Sequence, residues 1–401
     1  MAAEPTAPWQ GTAADALPAD AADAVLVGRV WDPAVGGPSV VAVRGGELVD
    51  VSRAFSTLRD LTEAADPVAA LAAADGPVRG TVEAVLANTP EDARDEGSPW
   101  LLSPIDLHVV KAAGVTFPVS MLERVIEERA RGDADAAGPI RERILAQLGG
   151  DLDSLVPGSP QATALKQLLV AEGMWSQYLE VGIGPDAEIF TKAPVLATVG
   201  TAVEVGVRDD SSWSNPEPEV VLVVASDGRI VGATLGNDVN LRDIEGRSAL
   251  LLGEAKDNNA SAAVGPFVRL LDDRFDLDAL RSQTVTLRVE GEDGFVLEGT
   301  SPLARISRDP VDLVAQALRH HRYPDGLVLF LGTMFAPGED RGEPGRGFTH
   351  HVGDVVRIAS PGLGALVDRV VHANDAAPWT FGVHALMASL ARRGLLTEGT
   401  A

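Results

Sequence analysis

The 401-residue chain contains no cysteine, which excludes disulfides and thiolate metal sites. Cations are scarce: 33 Lys and Arg stand against 58 Asp and Glu, a formal net charge of −25. A chain this acidic repels nucleic acid and anionic membrane surfaces, so neither is an expected partner. A small anion can bind only where a local cation reverses the field. No apolar run approaches the roughly 18 residues of a membrane span. Met1–Asp20 has no positive residue ahead of an apolar core, so no secretory leader is read there and a cytoplasmic protein is expected. No internal repeat is found.

What is there suits a two-domain, loop-rich protein. Hydrophobic residues make up 45% of the chain, enough for a sizeable core, and 41 Gly and 26 Pro supply turns. Residues 1–23 are Ala/Pro/Asp-rich and aperiodic and read as a loose tail. A small N-terminal α/β domain is expected over 24–98. It has strand-like runs at Ala24–Val30, Val40–Arg44 and Glu47–Val51, a Gly45-Gly46 turn, and a helical stretch over 58–74. Residues 99–401 are expected to form the second domain. Helical periodicity marks Met121–Arg131, Ile140–Gln147 and Gln161–Ala171, and an Asp-Pro opening marks Asp309–His320. Strands dominate after 190. Pro218–Ala225 and Arg229–Leu235 flank Ser226-Asp227-Gly228, a strong hairpin signal. Thr284–Val289, Phe295–Glu298, Val355–Ile358 and Ala365–Val371 follow. The expected class is α+β, rich in strand, with peripheral helices.

The hairpin brings acids together. Glu217 and Glu219 are two apart on one strand and share a face. If Asp227 and Gly228 make the turn, Glu219 faces Gly236, which leaves room above it, and Glu217 faces Asp238. Directly opposed residues lie about 5 Å apart at Cβ. Three crowded carboxylates repel unless a cation joins them, and an all-oxygen set favours Mg²⁺, Mn²⁺ or Ca²⁺ over zinc. The bland alternative is a solvated acidic strand face. His350 and His351 are adjacent, point to opposite faces of any strand, and read as loop residues.

At these residues the sequence resembles the fumarylacetoacetate hydrolase superfamily over roughly 100–398. The motifs occur in order. Glu188-Ile-Phe-Thr-Lys-Ala-Pro194 resembles the Phe-x-Lys-Pro element, and Glu217-Pro-Glu219 matches the E-x-E pair. Gly236-Asn-Asp-Val-Asn-Leu-Arg-Asp243 matches Asn-Asp-x-x-x-Arg-Asp, and Lys256 stands at the lysine that follows it. Gly332-Thr333 and Val352-Gly-Asp-Val-Val356 with Gly362-Leu-Gly-Ala-Leu366 complete the set. The resemblance implies a mixed β-roll and a Mg²⁺ (or Mn²⁺) ion on Glu217, Glu219 and Asp238. It also implies a homodimer or homotetramer. Many relatives carry a histidine where this chain has Ser120, within Gly114-Val-Thr-Phe-Pro-Val-Ser120-Met-Leu-Glu123. Serine is not a base near neutral pH without help, so water-activating hydrolysis is not expected.

The pattern is similar to the sugar-acid branch of the family, dehydratases of 2-keto-3-deoxy pentonates. That implies a small 2-keto sugar acid as substrate and 2,5-dioxopentanoate as product. Lys256 is then the expected base, Glu188 or Glu123 the acid, and Ser120, Gly332 and Thr333 the substrate contacts. Lys192 is read as neutralising the carboxylates, and Arg242 with Asp243 as a structural ion pair. The alternatives are a hydrolase or decarboxylase of a β-diketo acid on the same fold, and a non-catalytic acidic binding module. Retention of all three acids and Lys256 argues against the second.

Overall fold

The computed structural model of the chain describes residues 9–117, 121, 155–171, 173, 175–335, 337, 339–341 and 347–396. Apart from Met121, the helices expected over Met121–Arg131 and Ile140–Gln147 lie outside the described residues. The strands run in chain order as β1 (Leu26–Asp32), β2 (Gly37–Arg44), β3 (Glu47–Asp50), β4 (Val78–Thr81), β5 (Trp100–Leu102) and β6 (Val109–Gly114). Next come β7 (Glu188–Ala193), β8 (Val203–Val207), β9 (Ser214–Asn215), β10 (Pro218–Val224), β11 (Ile230–Asp238) and β12 (Asn240–Leu241). The last are β13 (Ala262–Leu270), β14 (Thr284–Glu290), β15 (Val296–Pro302), β16 (Leu327–Phe330), β17 (Val355–Ser360) and β18 (Gly364–His372). The larger sheet has the order β4-β3-β2-β1-β13-β11-β10-β16-β6-β7, with β5 also on β1; the smaller has the order β15-β14-β17-β18-β8.

Strand β10 shows how the layers are built. Every residue from Pro218 to Val224 is buried, the mark of a strand covered on both faces. Side chains alternate, so Val220, Leu222 and Val224 meet Leu287, Val289, Val356, Ile358 and Leu366 of the smaller sheet. Val221 and Val223 take the other face with Val264, Val328 and Phe330, under Leu58, Leu61 and Leu71. The same parity carries Glu219 to the second face. Strand β14 alternates buried and less buried residues, as expected of a sheet with one wet face. The fold class is therefore the expected one, mixed sheets with helices outside.

Three local details depart from expectation. The stretch 58–74 is two helices, Leu58–Thr62 and Pro67–Ala73, because Asp66-Pro67 starts a new one: the Asp66 carboxylate accepts from Ala69 N, and proline suits the first turn. The β10–β11 hairpin does not turn on two residues; Ala225 N donates to Arg229 O, and Val223/Val224 carries a bulge. The bulge absorbs the difference, so the pairs Glu219 with Gly236 and Pro218 with Asn237 are those the sequence count gives. The space above Gly236 is occupied: a Cβ there would lie 2.3 Å from the Phe330 ring.

Candidate metal centre and active site

Each acid is delivered by the end of a strand. Glu217 immediately precedes β10, Glu219 lies in it, and Asp238 closes β11. Asp238 N donates to Glu217 O at 3.0 Å, which fixes the two residues side by side. All three are buried, and one oxygen from each lies within 4.8 Å of the others. The solvated-face alternative is thereby excluded. Gly332, which follows β16 with φ +84°, turns its N–H onto Glu219 Oε2 at 2.6 Å. That backbone conformation favours glycine. Asn240 Nδ2 donates both to Glu217 Oε1 at 3.1 Å and to Glu245 Oε2 at 2.8 Å.

Two buried lysines face this cluster. Lys256 ends the short helix Leu252–Lys256, and its Nζ lies 2.5 Å from Glu217 Oε2 and 3.2 Å from Asp238 Oδ2. Lys192, in β7, lies 2.9 Å from Asp238 Oδ1 and also donates to the carbonyl of Lys256. Burial alone would lower the Lys256 ammonium, but the Asp238 and Glu217 charges outweigh it and hold the group above its ordinary range. Lys192 goes the other way, because burial exceeds the pull of Asp238. Burial, then the Asp238 and Glu217 charges, push the Glu219 carboxyl well above the usual carboxylate range. With every group ionised, three acids against two lysines would leave excess negative charge in a buried place, which the raised Glu219 carboxyl relieves without a cation. The residues therefore fit a divalent cation: a set of carboxylate oxygens close enough to share one ion, in an electrostatic position that a cation relieves.

A pocket opens over the cluster. Its wall includes Gly114, Val115, Glu188, Phe190, Arg242 and Thr333 beside the acids and Lys256. Glu188 begins β7 opposite Gly114 of β6. Thr333 Oγ1 accepts from Phe335 N at 3.1 Å, so its hydroxyl shapes the turn at the rim. Ser120 and Glu123 lie outside the described residues. Arg242 and Asp243 are not the ion pair expected of them. Asp243 accepts from Ser211 Oγ at 2.7 Å and Ser212 N at 3.0 Å, while Arg242 stacks on Trp213 at 4.4 Å and faces the pocket. His350 is buried with Nδ1 3.2 Å from Asp354, and His351 is half exposed, 3.5 Å from Asp293. They share no site.

Phe190 and Asn240 lie inside the quoted motifs but were given no role from the sequence, and both touch the cluster: the Lys256 ammonium lies 5.8 Å from the Phe190 ring centroid, and Asn240 bonds Glu217. One signal did exist for the lysines. Only four of the 33 cationic residues are lysine, at 111, 166, 192 and 256, and two of those four are buried here. Arginine stays protonated in proteins, so a chain that otherwise prefers it keeps lysine where a compact or titratable amine is required.

The chain resembles known proteins in the same region. The profile of the family described as fumarylacetoacetate (FAA) hydrolase C-terminal matches residues 185–371. The 2-dehydro-3-deoxy-D-arabinonate dehydratase of Saccharolobus solfataricus is 32% identical over 183 residues, 46% of this chain and 58% of that protein. The chain thus aligns with little more than half the length of that relative. A probable 2-keto-3-deoxyxylonate dehydratase of Haloferax volcanii is 28% identical over 337 residues, 82% of this chain and 97% of the other. Among solved structures, a 2-keto-3-deoxy-D-arabinonate dehydratase complexed with magnesium and 2,5-dioxopentanoate superposes with a TM-score of 0.59 at 21% identity. That match covers 86% of this chain and 99% of the other, and shows a shared fold. Residues 185–371, which hold all three acids and both buried lysines, are thus the part of the chain that matches the fumarylacetoacetate (FAA) hydrolase C-terminal family.

Proposed function

We propose that the chain is a divalent-metal-dependent hydro-lyase that converts a 2-keto-3-deoxy-pentonate to 2,5-dioxopentanoate. The observation that carries this is the meeting of Lys256 with Glu217 and Asp238, at 2.5 and 3.2 Å, in a pocket that also holds Glu188. Two relatives are named for dehydration of such acids, which supports the same choice.

Glu217, Glu219 and Asp238 would hold Mg²⁺ or Mn²⁺. When bound, that ion supplies Lewis acidity toward a 2-keto carboxylate and favours negative charge on its keto oxygen. The chain's own residues do the rest. Lys256 takes a proton from C3 as the free amine, a form it would reach once a bound cation answers Glu217 and Asp238, whose charges otherwise hold the ammonium above its ordinary range. Glu188 gives a proton to the C4 hydroxyl, which leaves as water as the C3–C4 double bond forms. The enone then isomerises: a C5 hydrogen and the C5 hydroxyl proton end on C3 and C4, and C5 becomes the aldehyde. Phe190 and the strand ends around the cluster keep Lys256 out of bulk water, so that with Glu217 and Asp238 answered by a cation burial would act to lower its ammonium. Ser120 and Glu123 are retained as substrate contact and alternative acid, and Gly332 and Thr333 as the rim against which the substrate rests.

The assay is direct. Purified protein with Mg²⁺ and 2-keto-3-deoxy-D-xylonate is coupled to a semialdehyde dehydrogenase, with an acylpyruvate as control. Aldehyde from the sugar acid and slow acylpyruvate cleavage are expected. Rapid acylpyruvate cleavage without aldehyde would instead establish the hydrolase alternative. We further propose a cytoplasmic homodimer or homotetramer, which light scattering on the purified protein decides.

A further inference from the structure

We propose that Gly114 is a positioning residue for Glu188: the missing side chain at 114 is the space into which the Glu188 carboxylate folds. The two residues are cross-strand partners on β6 and β7. A Cβ built on Gly114 would lie 2.2 Å from Glu188 Oε2, 2.9 Å from its Cδ and 3.4 Å from its Cγ. The carboxylate therefore lies back across β6, against the α-carbon of its neighbour. Gly114 is not among the glycines with positive φ, so its backbone accepts any residue. Space, and not conformation, demands glycine here.

The next residue shows what the strand gives up to shape this wall. Val115 has φ +53°, a region that β-branched residues avoid. Such strain persists only where surrounding structure holds it, and it gathers at functional sites. Gly114, Val115 and Glu188 line one wall of the pocket over the metal cluster. The strained turn ends β6 at the point where the glutamate crosses it.

The atoms that a Cβ would strike belong to the far end of a flexible side chain. Gly114→Ala should therefore fold normally and turn the Glu188 carboxylate away, by the 1 Å or so that separates 2.2 Å from ordinary contact. A displacement of about 1 Å in a proton donor costs up to the order of 10²-fold in rate.

The inference rests on the dehydratase reading and on Glu188 as its acid, and a double-mutant cycle separates the two. Gly114→Ala, Glu188→Gln and the double variant are assayed with Mg²⁺, alongside melting temperatures and a crystal structure of Gly114→Ala. Expected are a loss in kcat on the order of 10- to 10²-fold for Gly114→Ala with little change in KM, and no further loss when it is added to Glu188→Gln. The crystal structure should show the Glu188 carboxylate moved off β6, a result independent of turnover. Equal losses in both backgrounds, near-normal kcat, an unmoved carboxylate or an unfolded Gly114→Ala protein would each overturn it. Full activity in Glu188→Gln alone would instead remove the acid assignment.

Discussion

Lys192 and Asp238 are both buried, and their charged ends meet at 2.9 Å. Lys192 comes from β7 and Asp238 from the end of β11, so the pair ties two strands that are not neighbours in the sheet. Removing one member of a buried pair leaves the other charge uncompensated, at about 3–5 kcal/mol. Lys256 still faces Asp238 at 3.2 Å, so Lys192→Met should lose stability by less than that in urea unfolding without metal, and by less again with saturating Mg²⁺, because a bound dication also answers Asp238. Equal stability of variant and parent in metal-free buffer would show that the pair contributes nothing.

Metal affinity should depend on each acid separately. Glu217→Ala and Asp238→Ala are expected to fold and to lose tight Mg²⁺ or Mn²⁺ binding in calorimetry. Removing either acid also relieves the repulsion that raises Glu219. Parent-like affinity in either variant rules out the three-carboxylate site.

Lys256→Met retains the aliphatic stem beside Phe190 and removes the amine. Loss of a positioned base costs on the order of 10²–10⁴-fold in rate. The variant should still bind pyruvate in the presence of Mg²⁺, measured by calorimetry, while kcat on the sugar acid collapses. A kcat within a few-fold of the parent assigns the proton abstraction elsewhere.

Acid stability should carry the signature of Asp354, which is not one of the three clustered acids. Burial would raise its carboxyl, but hydrogen bonds from His350, Arg341 and His351 N prevail and hold it down at about 2. A depressed carboxylate stabilises the fold above its unfolded value of 3.8, and that contribution is lost as the pH falls through about 2. The shift corresponds to at most about 2 kcal/mol. Asp354→Asn should flatten the unfolding free energy between roughly pH 4 and 2. An unchanged acid limb would show that other carboxylates dominate it.

Much of the carboxylate cluster was legible because it is local. Glu217, Glu219 and Asp238 sit on one hairpin, and counting across it opposes the right residues even though the turn itself is longer than two residues. What the sequence hides is what arrives from elsewhere. Phe330 of β16 fills the space above Gly236, and no periodicity near Gly236 points to it. Asp243 is held by Ser211 and Ser212, while Arg242 stacks on Trp213 and lines the pocket; adjacency in sequence suggested a pair. The partnership of Gly114 with Glu188 joins residues whose pairing is set only once β6 and β7 align.

The pairing of β1 with β13, Leu26 with Arg269 and Val27 with Val268, makes the first hundred residues more than a prelude. Every residue of β13 is buried, and a Cβ at Gly28 would strike the Phe267 ring at 2.6 Å, so the two strands close on each other without slack. Stripped of β1, this part of β13 would be a raw edge, with unpaired backbone groups and apolar side chains ready to recruit another chain. The N-terminal strands are thus a hem on the sheet that carries the carboxylate cluster. A chain cut back to residues 185–371 would trade that hem for aggregation.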